Sequence, residues 1–200
     1  MNSVRISLVT GSDETNEKLS AIMSSEGYSV IGTHVSGGDA LRMVRAHVPE
    51  LIMINYTLPD MTGRELASII CADNICPVIM LVSSSERVYC EDLVDEMNVV
   101  LVEKPMSRIQ ILSAIDITLQ QAKLIRNLES KISKLSDSLE SRKFIERAKS
   151  MLIVANPEST EEEIYNAMRT ASMNQRMPIK RIAELVIEGK MDLGVLTAMA

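Results

Sequence analysis

Apolar residues follow two rhythms along this chain. Between residues 4 and 105, five short runs rich in β-branched and aliphatic side chains (VRISLV, YSVIGTHV, LIMIN, PVIMLVS and VVLVEKP) alternate with stretches where such residues return every three to four positions. The first rhythm fits strands and the second amphipathic helices. The expected order is therefore five strands, each followed by a helix: one carrying Leu19, Ile22 and Met23, then helices over 38–47, 63–72, 86–96 and from 107 onward. Several of the strands are apolar throughout, as in a parallel sheet buried on both faces. Right-handed crossovers then predict a doubly wound, five-stranded parallel α/β sheet whose functional crevice lies at the carboxyl ends of the strands.

From about residue 109 to 147 there is neither proline nor glycine, so the fifth helix is expected to run on without a break. Ile125, Ile132 and Leu139 fall at one heptad position and Leu128 and Leu135 at the other, which favours two parallel helices in a coiled coil, with Arg142 interrupting the seam. The alternative is an amphipathic helix packed on its own domain. Residues 142–155 keep helical spacing up to Asn156-Pro157. Thr160 with Glu163 predicts a capped start for a helix over 160–173, and Met177-Pro178 opens another that closes near Gly189. The expected division is 1–123 for the α/β domain, 124–141 for a coiled-coil linker continuous with its last helix, and 142–200 for a small all-α domain.

Composition narrows the chemistry. With 46% hydrophobic and 24% charged residues, the chain resembles ordinary globular proteins and departs from disordered ones. No apolar run is long enough to span a membrane and no secretory signal opens the sequence, so a cytoplasmic location is expected. Cys71, Cys76 and Cys90 lack metal-ligand spacing and read as buried thiols. His34 and His47, thirteen residues apart, have no nucleophile or acid pattern around them, so neither a metal, a cofactor nor an enzymatic activity is expected. The net charge of −6 is unevenly spread: residues 1–123 carry 9 Lys+Arg against 16 Asp+Glu, whereas residues 142–200 carry 9 against 8. Any surface that meets phosphates should lie in the C-terminal part.

The strand–helix order, the LPDMTG loop at 58–63 and the Lys104-Pro105 pair after the fifth strand resemble the receiver domain of response regulators, a flavodoxin-like fold, over roughly residues 1–123. The resemblance implies an aspartate phospho-acceptor ending the third strand, an acidic pair after the first strand to hold Mg²⁺, a hydroxyl after the fourth and a lysine after the fifth. Phosphoryl transfer gathers negative charge that a divalent ion and an ammonium group stabilise. This chain has Asn55 at the acceptor position, Thr10 and Gly11 at the acidic pair and Val82 at the hydroxyl, with Ser83 next to it; Lys104 alone matches. An amide forms no acyl phosphate, and loss of the carboxylates removes the oxygen cage for Mg²⁺. Asp13 and Glu14 stand near the acidic-pair position, Asp60 reads as a turn residue, and Lys104 is expected to hydrogen-bond Asn55 or nearby carbonyls. The domain is expected to work without aspartyl phosphate.

Residues 142–188 are similar to the ANTAR domain, the RNA-binding module of transcription antitermination regulators. Ile145, Ala148-Lys149, Leu152, Thr160, Glu162, Tyr165, Met168-Arg169, Ala171, Met173-Asn174, Ile182-Ala183 and Ile187 carry the match, while Ser150 replaces a usual glycine and Ile164 a usual alanine. Lys149, Arg169, Arg176, Lys180 and Arg181 are the cations expected to meet RNA, with Tyr165 either stacking on a base or packed in the core. Lys149 and Arg169 have a second reading as salt-bridge partners of Glu146 or Glu162, and Lys180-Arg181 one as a solvated helix face. With Phe144 the only other aromatic, compact hairpin loops suit this module better than long single strands. The resemblance implies a homodimer offering two modules to paired hairpins in a nascent transcript, with a regulatory or sensor protein as a further partner. The rival expectations are a DNA-binding response regulator and a protein-interaction adaptor that binds no nucleic acid.

Overall fold

A parallel sheet of strand order β2-β1-β3-β4-β5 occupies the first part of the chain in the computed structural model, which describes residues 3–198. Its strands are β1 (Arg5–Val9), β2 (Ser29–His34), β3 (Leu51–Asn55), β4 (Val78–Val82) and β5 (Val100–Glu103). Between them run α1 (Asp13–Ser25), α2 (Gly37–His47), α3 (Gly63–Ala72), α4 (Ser84–Arg87) and α5 (Glu91–Met97), and α6 (Arg108–Ala155) follows the last strand. Because successive strand residues point to opposite faces, the sheet feeds two cores. Val9, Ile52, Ile54, Met80 and Val82 pack with Ala40, Val44, Leu66 and Ile70 of α2 and α3. On the other face Ile6, Leu8, Met53, Ile79 and Leu81 pack with Leu19 and Met23 of α1 and with Ile111 and Ile115 of α6.

The helix starts obey local chemistry. Ser12 and Ser36 accept from the third backbone N–H of α1 and α2, and Thr62–Glu65 and Ser83–Glu86 form reciprocal capping boxes at α3 and α4. One expectation needs correction: the helix foreseen over 86–96 is three pieces, α4, a 3-10 turn at Val88–Cys90, and α5. The Ser83–Glu86 box starts the helix early, and Cys90 leaves helical geometry (φ −124, ψ 5) at a fully buried position. Glycine is required where α3 meets β3, since a β-carbon on Gly63 would fall 2.1 Å from the carbonyl oxygen of Asn55. The α3 N-terminus is thereby pressed against the end of β3.

Asp60, expected to be a turn residue, does more than shape the loop. Its two carboxylate oxygens accept from the Gly37 and Gly38 N–H groups, each at 2.8 Å, tying the β3–α3 loop to the positive end of α2.

The chain divides into two compact units between Arg126 and Asn127, and α6 contributes to both. In the second unit α6 ends at Ala155, followed by α7 (Glu161–Gln175), α8 (Ile179–Ile187) and α9 (Leu193–Ala198). The tail's first helix, foreseen as starting near 142, is thus the end of α6, because no breaker residue separates the two. Ala148 and Leu152 of α6 pack with Ile164, Ala167, Met168 and Ala171 of α7 and with Ile182, Ala183 and Val186 of α8. The sequence reading missed α9; Asp192 caps it by accepting from the Val195 N–H at 2.8 Å, and Leu196 anchors it in the core.

Backbone donors from Gly38 and Gly37 hold the Asp60 carboxyl below its ordinary value. A lowered folded pKa means its stabilisation is present above the unfolded value and fades as pH falls through the folded one. Asp60→Ala is expected to lower the urea midpoint at pH 7, with the gap to the parent protein closing below about pH 3, as followed by circular dichroism.

Candidate functional site

At the carboxyl ends of the strands the receiver-like pocket is filled by its own side chains. Asn55 ends β3, and its amide Nδ2 donates to the Thr10 and Thr57 carbonyl oxygens, each at 3.2 Å. Lys104, just after β5, donates from Nζ to Asn55 Oδ1. Burial lowers the Lys104 pKa, opposed by the nearby Glu86 carboxylate. The Thr10 hydroxyl is directed into the protein, its one proton shared between two acceptors, the Ser12 carbonyl at 2.9 Å and Asn16 Oδ1 at 3.0 Å. Gly11 takes a left-handed conformation (φ +73), where a β-carbon would crowd the Thr57 carbonyl at 3.1 Å. Val82 is fully buried, and Ser83 is committed to capping α4.

Two residues that the sequence reading did not single out complete this pocket. Glu86 accepts from the Ser83 N–H at 2.7 Å through one carboxylate oxygen and from the Thr57 hydroxyl at 2.9 Å through the other. Burial pushes the Glu86 carboxyl up, but the Ser83 and Thr57 donors outweigh it and hold the group below its ordinary value. The Ser-x-x-Glu spacing gives away the capping role, whereas nothing local gives away the bridge to Thr57, 29 residues distant. Asp13 and Glu14 lie in the first turn of α1, where Glu14 pairs with Lys18 at 2.6 Å. The positions around Asn55 thus hold an amide, hydroxyls and an ammonium group, with one carboxylate already bound by two donors.

Along α6, every residue from 123 to 140 is exposed. Ile125, Leu128, Ile132, Leu135 and Leu139 form one stripe there and are 37–66% exposed. Apolar side chains at this spacing on a helix without neighbours in its own chain make an unsatisfied surface.

The C-terminal cations divide by pairing. Lys149 is 9% exposed; its Nζ donates to Glu146 at 2.8 Å and also to Glu161, and lies 6.0 Å from the Tyr165 ring centre. Glu146 and then Glu161 raise its pKa, fixing the positive charge. Lys180 pairs with Glu140 and sits 5.3 Å from the centre of the Phe144 ring, while Arg181 pairs with Glu184 at 2.8 Å and Glu188 at 3.7 Å. Arg169 and Arg176 are exposed and make no ion pair among the described residues. On α7, Tyr165, Arg169 and Met173 follow one another at four-residue steps, so they share a face. All three are exposed, Tyr165 by 40% and Met173 by 68%. Arg176 follows as the C-cap of α7 in left-handed conformation (φ 51).

Residues 6–116 match the response regulator receiver domain, and residues 133–187 match the ANTAR domain. The transcriptional regulatory protein PdtaR of Mycobacterium tuberculosis is 31% identical over 170 residues, covering 85% of this chain and 82% of that protein. The DNA-binding response regulator MtrA of Mycolicibacterium smegmatis is 31% identical over 86 residues, 42% of this chain and 36% of its own. Among solved structures, a response regulator receiver domain protein from Clostridium thermocellum superposes with a TM-score of 0.56 at 16% identity, covering 61% of this chain and 98% of its own. A CheY-like receiver domain protein from Methanospirillum hungatei does so with a TM-score of 0.52 at 22% identity, over 61% and 98%. The chain belongs to the family of transcriptional regulators in which a response regulator receiver domain precedes an ANTAR domain.

Proposed function

We propose that this protein is a transcription antiterminator that binds hairpin RNA as a dimer and acts without phosphorylation of its receiver domain. The RNA-binding assignment rests on the face of α7 where Tyr165, Arg169 and Met173 stand exposed, with Arg169 free of any ion pair among the described residues. Hairpin loops splay bases that stack on aromatic rings and guanidinium planes, and phosphates attract whatever cations are not already neutralised. Arg169 and Arg176 meet that condition. Lys149, Lys180 and Arg181 are engaged by carboxylates, so they act mainly as positioning residues, Lys149 under Tyr165 and Lys180 against Phe144.

Dimerisation answers the exposed α6 stripe. Burying about half of an Ile or Leu side chain contributes roughly 1 kcal/mol, so ten such residues across two helices supply on the order of 10 kcal/mol. Association itself costs about 4–15 kcal/mol. The gain is of the same order as that cost, so one buried charge in the seam is enough to undo association. Two linked modules bind paired hairpins with an avidity gain of about 10² to 10⁴.

The pocket supports the reading that the domain works without phosphorylation. Asn55 forms no acyl phosphate, and its amide already spans Thr10, Thr57 and Lys104. Control is then exerted by the protein's abundance, a ligand or a partner protein.

Incubation with Mg²⁺ and acetyl phosphate is expected to leave the mass of the intact protein unchanged, and a stoichiometric adduct of one phosphoryl group would refute this element. Arg169→Ala is expected to weaken binding to a hairpin RNA by at least about tenfold and to reduce the salt slope by about 1, while Lys180→Ala changes both less. Tighter binding to duplex DNA than to the hairpin under the same salt would instead place the protein among DNA-binding regulators, and no binding to either would make it an adaptor. Ile132→Lys is expected to give a monomer in sedimentation analysis with unchanged circular dichroism in the receiver unit, and to lose the affinity advantage for tandem hairpins.

A further inference from the structure

As candidate RNA contacts, the sequence reading left out three cations at the end of α6: Arg142, Lys143 and Arg147. Residues 140–155 hold these and Lys149 against two carboxylates, Glu140 and Glu146. The structure commits both carboxylates elsewhere. Glu140 pairs with Lys180 of α8, and Glu146 pairs at 2.8 Å with Lys149, which also reaches Glu161 at the start of α7. Arg142, Lys143 and Arg147 stay exposed, and none of them makes an ion pair among the described residues.

Helical geometry sorts the three. An α-helix turns once in about 3.6 residues, so Lys143, Arg147, Ser150 and Val154, spaced by four, three and four positions, stand along one side of α6. All four are exposed, Val154 by 81%. Ala148 and Leu152, which enter the C-terminal core, lie on the far side. Lys149 is two positions from Arg147 and therefore opposite it, so the Glu161 carboxylate that it holds lies away from this face. Arg142 stands in line with Leu135 and Leu139 instead.

We propose that Lys143 and Arg147 bind the sugar-phosphate backbone of RNA outside the hairpin loop, on a second surface of the C-terminal unit. This rests on the reading of that unit as an RNA-binding module and gives its two surfaces different tasks. Lys149, which stands beside the Tyr165 ring, lies across α6 from Arg147, so the α6 face is not continuous with the one that carries Tyr165. The α6 face has no aromatic ring to stack on a base and no carboxylate to accept from a base amino group. What it offers is two unneutralised donors about 6 Å apart along the helix axis. Arg147 presents a planar fork to phosphate oxygens and Lys143 a compact charge. Contacts of this kind position a nucleic acid without reading its sequence.

The test titrates the full chain into a fluorescent stem-loop RNA, bare and with single-stranded flanks, at several salt concentrations, and repeats this with the loop bases replaced. The double variant Lys143→Gln/Arg147→Gln is expected to weaken binding at least about tenfold and to lower the salt slope by about 2, by the same factor for either loop. A loss already seen on the bare stem-loop assigns the contact to the stem, and one seen only with flanks assigns it to the single strand. Lys143→Arg/Arg147→Lys is expected to keep the parent affinity. Lys131→Gln/Lys134→Gln removes the same charge from the exposed stretch of α6 and is expected to change binding less. All four positions are exposed, so the variants keep the fold, as circular dichroism verifies. Unchanged affinity in the Lys143/Arg147 variant, while Arg169→Ala still weakens binding, would overturn this proposal and leave the RNA-binding reading standing. A parent chain that binds no stem-loop at low salt would overturn both. An altered preference between loops, or an equal loss in the Lys131/Lys134 variant, would overturn the backbone contact alone.

Discussion

The uninterrupted backbone of α6 is the constraint on which the second half of the molecule depends. One helix of 48 residues sends Ile111, Ala114 and Ile115 into the receiver core and Ala148 and Leu152 into the C-terminal core. Between these anchors every residue of the helix from 123 to 140 is exposed, and the pairing of Glu140 with Lys180 lies at the far end of that stretch. In proteins most helical stability comes from tertiary packing rather than from propensity. The persistence of α6 rests on the absence of glycine and proline, on nucleation supplied by two packed ends, and, in the function proposed here, on a second copy covering the Ile125–Leu139 stripe.

The receiver unit keeps the frame of its family and changes the electrostatics inside it. A phosphorylatable pocket must gather carboxylates and a divalent ion, an arrangement in which like charges oppose folding until metal arrives. Here Asn55 joins Thr10, Thr57 and Lys104 through neutral or singly charged hydrogen bonds, and Glu86 fixes Thr57 to the start of α4. Each buried donor and acceptor named in that pocket finds a partner within the chain.

In the C-terminal unit, the same count of cations acquires a different meaning once pairing is known. Nine basic and eight acidic residues in 142–200 describe an almost neutral surface. Carboxylates take up Lys149, Lys180 and Arg181, whereas Arg169 and Arg176 stand exposed without an ion pair among the described residues. Lys149 shows how the two roles combine. Held by Glu146 and Glu161, it spends its charge on fixing the α6–α7 junction beneath the tyrosine ring.

The parallel sheet, the unbroken α6 and the capped start at Thr160 were legible in the sequence because each is set by neighbours within a few residues. A motif fixes residue type and spacing together, which is what let the sequence alone align Asn55, Thr10, Gly11 and Val82 with the family's reactive positions. Contacts between distant segments were not legible. The Thr57–Glu86 bridge, the clasp of Asp60 on Gly37 and Gly38, and the pairing of Lys180 with Glu140 each join residues 22 to 40 positions apart. His34 and His47 are the clearest instance: thirteen residues separate them in sequence, and only the packing of α2 on the edge of the sheet brings both to one void. Periodicity and capping act along the chain and can be read from it, whereas the partner of a side chain is decided by which surfaces the core forces together.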